Sequence, residues 1–492
     1  MSFDNVQSLP YLVPELLLAA TILVIFIGDL VIASKDRLAE IALVGVVLSL
    51  VAVSRLSGWP SGWLFNRMVI HDQFALFFKL IFALATIATV LMSMTSNEVQ
   101  RSSPSEYYGI LLSSALAMYF MASAANLLMA YLSLEFVSLT SYTLTGILKH
   151  NRRSGEAALK YLIYGGVASG TMIYGLSWIF GLTGSMDYAK IGEALSAGGS
   201  NQLALFIALV LTLAGFGYKI AAVPFHMWAP DVYQGAPIPV TAFLSVGSKA
   251  AGFALLIRFF YPALSHPTST GTWATVPGVD WPTLVLVLSM ITMTLGNFAA
   301  LSQQNLKRLL AYSSIAHAGY VLMGFVVLSN DGLRAMLFYL VAYYLMNIGA
   351  FLVVMIVANS TGREDVDGYR GLAWRGGAAP AVAMAVFLFS LAGLPPLGGF
   401  IGKFYLFAAV IERQFYWLAL VGVLNSVVSL YYYARIVKAM FLDQPQGNEG
   451  AVTVGLQDGC VLWTLAAATL ALGLYWSPVM GLVERSMQFF VG

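Results

Sequence analysis

Four ionisable side chains lie inside long apolar runs, where a charge is costly. They are Glu135, Lys219, Lys249 and Lys403. A charged side chain at the centre of a bilayer costs about 2.5–3.5 kcal/mol on insertion scales, and such residues usually face an internal polar path. Burial favours the neutral form of a lysine, whereas a nearby carboxylate favours the charged form. A carboxylate that moves toward or away from Lys219 can therefore make this lysine hold or release a proton. The set predicts a proton relay.

Three further residues are secondary relay candidates, namely Lys160, His317 and His226. Lys160 lies near the start of its apolar run, which is equally compatible with a side chain anchored at the membrane interface. His317 is equally compatible with a hydrogen-bonded core histidine. Lys79 and Arg258 also lie in apolar runs, and for them we expect the charged head to snorkel to the interface.

Two of the apolar runs contain residues that interrupt a helix. The run 202–225 carries Lys219 close to its end, and the run 380–411 carries Lys403. About 32 helical residues at ~1.5 Å each would exceed the ~30 Å hydrocarbon core, so the second run must be broken. The residues predicted to break the two helices are Gly215, Gly217 and Pro224 in the first and Pro395, Pro396, Gly398 and Gly399 in the second. Interrupted helices in matching positions of two halves are typical of inverted-repeat transporters.

The composition places the chain in the membrane. Of its 492 residues, 59% are hydrophobic and 10% are charged, whereas a soluble domain carries about 25% charged residues. The net charge of +2 gives no indication of a nucleic-acid partner. The single cysteine, Cys460, and five scattered histidines argue against an iron–sulfur or zinc cluster. The segment GLPPLGGF lies inside an apolar run and is not a nucleotide-binding fingerprint. We therefore expect no cofactor or metal on this chain.

Apolar runs long enough to cross a membrane number about 14. The runs are 11–33, 38–56, 72–95, 106–123, 125–148, 157–181, 202–225, 237–262, 281–302, 306–328, 332–358, 380–411, 414–442 and 458–480. The first run lacks a preceding basic segment and is expected to be a retained helix rather than a cleaved signal. The predicted fold is an all-α polytopic membrane protein with two inverted five-helix repeats, each with an interrupted helix. Its predicted parts are three N-terminal helices (1–100), a first repeat (106–262), a second repeat (281–442) and a last helix (458–480).

The lysines and arginines of the loops predict the orientation. If the N-terminus lies outside, the loops that face inside carry more basic residues than those that face outside, and the segment KHNRR at 149–153 contributes most. Basic residues are enriched in cytoplasmic loops. With an even number of helices, both termini are expected to lie outside.

Several segments together resemble a known family. They are EFVSLTSYTLTG, EAALKYLIYGG, GFGYKIAAVPFHMWAPDVYQGAPIPVTAFLSVGSKAAGFA, NLKRLLAYSSIAHAGY and AGLPPLGGFIGKFYLF. Nearly the whole chain is similar to the antiporter-like subunits of respiratory complex I, an NADH-quinone oxidoreductase. The turn HMWAPDVYQGAP and the lysine in SVGSKAAGF favour the N-type of these subunits, the counterpart of mitochondrial subunit 2. The presence of the first three helices favours a bacterial inner-membrane protein.

The resemblance implies roles for individual residues and for partner chains. By position in the motifs, Glu135 and Lys219 form the coupled pair, Lys249 connects it onward, Lys403 lies on the exit side, Lys160 lies near the pair and His317 lies in the central polar axis. The resemblance also implies other complex I subunits as partners, above all neighbouring antiporter-like and small membrane subunits, together with membrane lipid. FMN, iron–sulfur clusters and quinone would be bound by those partner subunits.

Other functions remain compatible with the residues alone. The same lysines would serve a subunit of a multi-subunit cation/proton antiporter that has no redox partner, or a subunit of a membrane-bound hydrogenase. A third reading keeps the chain as a membrane scaffold in which the buried charges only form structural ion pairs.

Overall fold

The computed structural model describes residues 3–32, 34–199, 201–278, 280–445 and 451–487. Helices dominate these residues, and two short antiparallel hairpins, β1–β2 and β3–β4, lie between them. The helices are α1 (Asn5–Ser8), α2 (Val13–Val31), α3 (Arg37–Leu56), α4 (Gln73–Thr95), α5 (Pro104–Ser123), α6 (Leu127–Thr145), α7 (Arg152–Thr183), α8 (Tyr188–Ser196), α9 (Gln202–Ile220), α10 (Trp228–Gly235), α11 (Ile238–Phe243), α12 (Lys249–Leu264), α13 (Trp281–Leu301), α14 (Leu306–Val326), α15 (Asn330–Thr361), α16 (Ala378–Ala392), α17 (Gly398–Glu412), α18 (Tyr416–Phe441), α19 (Leu456–Leu474) and α20 (Ser477–Ser486). The strands are β1 (Gly62–Leu64), β2 (Val69–His71), β3 (Ser265–Pro267) and β4 (Trp273–Thr275).

The all-α polytopic architecture is confirmed, with fewer clear spans than the sequence predicts. Within the described residues, 12 helices are long and apolar enough to cross a membrane, or up to 13 if one strongly bent pair forms a single span. Two of the predicted runs fall short for different reasons. The run 106–123 forms α5, which is long enough but rich in serine and tyrosine, and the run 380–411 is divided into α16 and α17. The predicted end of the first run at residue 33 lies outside the described residues.

Three helices form the interior of the bundle. Within the apolar stretch of each span, all residues are buried in Ile238–Leu264, 94% are buried in α14 and 89% in α15. The buried share is only 28% in the span Asn5–Val31 and 39% in α18. A helix that is apolar and buried on all sides belongs in the centre of a membrane bundle, whereas a helix with an exposed apolar face meets lipid or another chain. Lys249 and His317 therefore sit on central helices.

The first helix break lies after Lys219. Helix α9 continues to Ile220, and Ala221 then takes a left-handed conformation with φ of 58°. Pro224 lies in the break as predicted, and α10 begins at Trp228. The predicted breaks at Gly215 and Gly217 are wrong, because α9 runs through both residues.

These two glycines instead allow close packing. A Cβ at Gly215 would lie 2.3 Å from the sulfur of Met172, and one at Gly217 would lie 2.6 Å from the ring of Phe225. A packing role and a helix-breaking role thus produce the same pattern in the sequence.

The second break precedes Lys403. Helix α16 ends at Ala392, and its C-cap residue Gly393 has a left-handed φ of 90°. Pro395 and Pro396 lie in the break as predicted. Gly398 and Gly399 are not part of the break, because they form the first turn of α17. A Cβ at Gly399 would lie 1.9 Å from the carbonyl oxygen of Ser390, so this glycine lets α17 pass close to α16.

Two buried ion pairs hold the N-terminal helices, one within these helices and one to the rest of the bundle. Lys79 of α4 contacts Glu15 of α2 at 2.6 Å, and both side chains are 2% exposed. Arg258 of α12 binds both carboxylate oxygens of Asp72 and donates from Nε to the carbonyl of Ala122 at 2.9 Å. The expectation that Lys79 and Arg258 snorkel is therefore wrong, because carboxylates from distant parts of the sequence compensate both charges inside the protein.

Histidine 71 lies between the two pairs, at the end of β2. Burial, and after it the ammonium group of Lys79, lowers the pKa of His71 to about 4. His71 is therefore neutral at physiological pH, and the cluster holds no uncompensated third cation.

Replacement of Arg258 by leucine should destabilise the protein strongly. Removing one partner of a buried ion pair costs about 3–5 kcal/mol because the other charge stays buried. Thermal unfolding of the purified chain in detergent should show a much lower midpoint for Arg258→Leu. The control Arg334→Leu breaks an exposed pair with Asp331, which is worth about 0–1 kcal/mol. Equal midpoints for the two variants would contradict the anchoring role of Arg258.

Candidate functional site

Lys219 and Glu135 lie on neighbouring helices without touching. Lys219 is 2% exposed and donates from Nζ to the hydroxyl of Ser138 at 3.2 Å. Ser138 lies one turn after Glu135 on α6 and donates in turn to the carbonyl of Leu134 at 2.7 Å. Glu135 is close enough to act on Lys219 electrostatically, but no ion pair within 4 Å joins them in the described chain. Its Oε1 atom is buried without a hydrogen-bond partner there. The two groups therefore interact electrostatically without forming an ion pair in the described chain.

Lys219 also packs against the helix that carries Lys249. A Cβ at Gly252 would lie 3.2 Å from Cγ of Lys219, and Gly252 lies one turn after Lys249 on α12. The absence of a side chain at Gly252 therefore leaves room for the stem of Lys219. Directly before Lys249, the residues Leu244–Ser248 form one turn of π-helix, a local irregularity that is frequent at functional sites.

Lys249 is held by neutral oxygen atoms of α14. Its Nζ atom lies 2.7 Å from the carbonyl oxygen of Ser314 and 2.5 Å from the hydroxyl of the same residue. The Ser314 hydroxyl lies 3.4 Å from that of Tyr233 on α10. The short helix after the first break thus reaches the environment of Lys249.

His317 belongs to a network of aromatic hydroxyl groups. Its Nδ1 atom lies 2.5 Å from the hydroxyl of Tyr339, and its Nε2 atom lies 3.2 Å from that of Tyr433. The hydroxyl of Tyr433 also forms a short hydrogen bond with Ser313. Both ring nitrogens of this buried histidine therefore face groups that can donate or accept a proton.

Lys403 occupies the corresponding place beside the second break. Its ammonium group donates to the carbonyl of Ala392 at 3.0 Å and to the hydroxyl of Ser426 at 3.3 Å. It also lies 4.5 Å from the centre of the Tyr320 ring, which favours a cation. The hydroxyl of Ser426 continues to that of Tyr320 at 3.2 Å.

Of the secondary candidates, His317 belongs to these contacts, whereas Lys160 and His226 lie outside them. Lys160 is 40% exposed and forms ion pairs with Glu156 at 2.8 Å and Asp231 at 2.7 Å. Asp231 also binds Arg308 at 2.5 Å, so Lys160 is part of a charged cluster near the surface of the chain. His226 is buried in the first break, and its Nδ1 atom has no hydrogen-bond partner among the described residues.

The buried cations therefore form two classes. The first class, which has a carboxylate within 4 Å, comprises Lys79 with Glu15, Arg258 with Asp72 and Lys307 with Glu364. The second class comprises Lys219, Lys249 and Lys403, whose hydrogen bonds in the described structure go to hydroxyl and carbonyl oxygens. An amine of the second class loses little when it becomes neutral, because no buried carboxylate is left behind.

The hydroxyl groups that contact the candidate relay residues were missed by sequence reasoning. They are Ser138, Tyr233, Ser314, Tyr339, Ser426 and Tyr433. One signal was available, since the serines of RLLAYSSIAHAGY lie three and four residues before His317 and share a helix face with it. The remaining partners come from other helices and carry no local signal.

The sequence of the chain matches a known protein family and several relatives. Residues 124–429 match the family described as NADH:quinone oxidoreductase/Mrp antiporter, TM. The chain is 46% identical over 512 aligned residues to NADH-quinone oxidoreductase subunit N of Anaeromyxobacter sp. (strain Fw109-5), with 99% of this chain and 98% of the relative covered. It is also 46% identical to subunit N of Chlorobium chlorochromatii (strain CaD3), over 98% of this chain and 95% of the relative.

The chain belongs to the subunit N family of NADH-quinone oxidoreductases. The family resemblance inferred from the motifs is thereby confirmed. A chain of respiratory complex I from Thermus thermophilus with bound Aureothin is similar to this subunit N with a TM-score of 0.80 and 31% identity, covering 95% of this chain and 98% of that chain.

Two other solved structures share the fold alone. The Mrp complex from Dietzia sp. DQ12-45-1b gives a TM-score of 0.86 at 21% identity and covers 98% of each chain. The archaeal membrane-bound sulfane sulfur reductase gives 0.85 at 21% identity, with 98% of both chains covered. Structural similarity does not separate these systems, so the assignment to subunit N rests on sequence identity.

The close approach at Gly399 can be tested in subunit N. In Gly399→Ala the new Cβ would overlap the carbonyl of Ser390, so α16 and α17 must separate and the contact of Lys403 with Ala392 should loosen. Overpacking of this kind costs about 1–3 kcal/mol. Amide hydrogen exchange over residues 390–404, followed by mass spectrometry, should become faster. The control Gly170→Ala introduces a Cβ into open space. Identical exchange in the two variants would show that the helices tolerate the extra carbon.

Proposed function

We propose that this subunit moves protons across the membrane through the buried axis formed by its unpaired lysines. The axis consists of Glu135, Lys219, Lys249, His317 and Lys403, with the hydroxyl groups between them. The observation that carries the proposal is that all three lysines are at most 4% exposed and are held by neutral oxygens. Such amines can exist with or without a proton, whereas buried ion pairs such as Lys79 with Glu15 favour one state.

The driving step in this mechanism is a change in the separation between Glu135 and Lys219. Two unit charges 4 Å apart interact by about 4 kcal/mol at an effective dielectric constant of ~20. Since 1.36 kcal/mol corresponds to one tenfold step, bringing the carboxylate to Lys219 or removing it changes the proton affinity of the amine by roughly a thousandfold. When the pair separates, the proton leaves Lys219 toward Lys249, and hydroxyl groups and water carry it onward.

The proposed architecture assigns the breaks to two inverted repeats. Residues 106–262 and 281–442 would form the repeats, each with its interrupted helix in fourth place, flanked by the three N-terminal helices (1–100) and the last helix (458–480). The positions of the α9–α10 and α16–α17 breaks support this division. Each break would place one lysine near the midplane of the membrane, where transporter repeats form their sites.

The energy would come from electron transfer on partner chains. Relatives named NADH-quinone oxidoreductase subunit N support an assembly in which other subunits bind FMN, iron–sulfur clusters and quinone. Neighbouring antiporter-like and small membrane subunits, with membrane lipid, would cover the exposed apolar faces. The basic loop at 149–153 supports an orientation with both termini outside a bacterial inner membrane.

Purification through a tag on this chain in mild detergent tests the assembly. Flavin and iron–sulfur chains should co-purify in a constant ratio, and the preparation should reduce quinone with NADH. Isolation with small membrane proteins only, together with cation-driven proton flux that needs no NADH, would instead favour the antiporter reading.

Replacement of Lys219 by methionine should uncouple proton movement from electron transfer. Methionine keeps much of the volume but cannot carry a proton, so proteoliposomes containing the whole complex should move fewer protons per NADH oxidised. The control Lys190→Met changes an exposed lysine on α8 and should leave the ratio as in the unmodified complex. An unchanged ratio in an assembled Lys219→Met complex would exclude a direct role for Lys219.

A further inference from the structure

The hydrogen bonds of the axis are interrupted between Lys249 and His317. Lys249 reaches Ser314, and His317 reaches Tyr433 and Tyr339. Ser314 and His317 lie one turn apart on α14, yet in the described structure no direct hydrogen bond joins their side chains. A proton that arrives at Ser314 therefore needs one more group to reach the histidine.

Tyr343 of α15 occupies this gap. Its ring centre lies 5.3 Å from that of His317, and its side chain is 3% exposed. Tyr343 therefore packs against the histidine whose Nε2 atom faces Tyr433, and Ser314, the partner of Lys249, lies one turn earlier on α14. The Tyr343 hydroxyl interacts electrostatically with those of Tyr233, Ser314 and Tyr433.

The hydroxyl of Tyr343 is buried and has no hydrogen-bond partner in the part of the chain that the structure describes. A buried polar group without a hydrogen bond destabilises a protein, so packing alone does not account for a hydroxyl at this position. A hydroxyl that alternates between two hydrogen-bond partners accounts for this. It lacks a hydrogen bond only while it moves from one partner to the other.

We propose that the Tyr343 hydroxyl is the relay group that joins the Lys249 and His317 sections of the axis, an inference that rests on the proposed function. The hydroxyl oxygen accepts a proton from the Ser314 side while its own proton passes to the hydroxyl of Tyr433. The proton of Tyr433 then passes to Nε2 of His317. One O–H bond forms as another breaks at each oxygen, so every hydroxyl group is neutral again after the transfer.

The chain provides a matched control in the next residue. Tyr344 lies on the same helix, but its hydroxyl donates to the carbonyl of Leu84 at 3.1 Å, on another side of α15. Tyr343→Phe and Tyr344→Phe remove the same atom from adjacent positions and leave both rings in place. A general loss of packing would affect both variants.

The experiment measures protons moved per NADH oxidised in proteoliposomes that contain the whole complex. In the same vesicles the rate of proton movement is measured in H₂O and in D₂O, and the ratio of the two rates is the solvent isotope effect. Tyr343→Phe should lower the proton ratio to that of Lys249→Met and change the solvent isotope effect, whereas Tyr344→Phe should match the unmodified complex. Structural damage alone would lower assembly and NADH oxidation without changing the isotope effect.

The outcomes separate this inference from the proposed function. A Tyr343→Phe complex that pumps normally while Lys249→Met does not would overturn the role of Tyr343 and leave the lysine axis intact. Normal pumping in both variants would overturn the axis itself.

If Tyr343→Phe does not assemble, Ser314→Ala tests the same bridge, because it removes the hydroxyl that faces Tyr343. Reduced pumping in Ser314→Ala supports the bridge, and normal pumping refutes it.

Discussion

The structure depends on keeping three amines inside a membrane bundle, where no carboxylate of the described residues lies within 4 Å of any of them. Each unpaired charge at this depth costs several kcal/mol, and hydroxyl and carbonyl oxygens of neighbouring helices offset this cost. Elsewhere the same protein pairs its buried cations, as with Arg258 and Asp72. The difference shows that the absence of an ion pair within the described residues is a property of the three axis lysines rather than of the interior as a whole.

The two helix breaks serve their lysines in different ways. A helix end leaves carbonyl groups without intrahelical partners, and at the second break Lys403 uses one of them, the carbonyl of Ala392. At the first break the carbonyl of Tyr218 accepts instead from the indole of Trp228 and from the backbone N–H of Ala221. Lys219 therefore depends on Ser138 of α6, the helix that also carries Glu135. Only the first lysine is thereby tied to the helix of a carboxylate.

The sequence was informative wherever a residue conflicts with its surroundings. A charged residue in an apolar run can be recognised in the sequence, so Glu135, Lys219, Lys249 and Lys403 could be named as candidates. A helical run of 32 residues is too long for the membrane, so a break could be predicted. A glycine in such a run is ambiguous, because Gly215 makes room for Met172 without bending the helix. Partners could not be predicted, since Asp72 lies 186 positions from Arg258. Tyr343 gave no signal either, because a tyrosine in an apolar helix is compatible with ordinary packing.

The electrostatic environment also bears on where the proposed proton cycle would be controlled. All three lysines are buried, and among the described residues only Lys219 has a carboxylate, that of Glu135, acting on it. The partners of these two lysines are serine hydroxyls and backbone carbonyls on packed helices, which cannot be withdrawn without disrupting the bundle. The carboxylate of Glu135 is held by no ion pair in the described chain and lies on a partly exposed face of α6. A strain applied from a neighbouring chain can therefore change the state of Lys219 first. Lys249 and Lys403 would then respond to the proton that Lys219 releases.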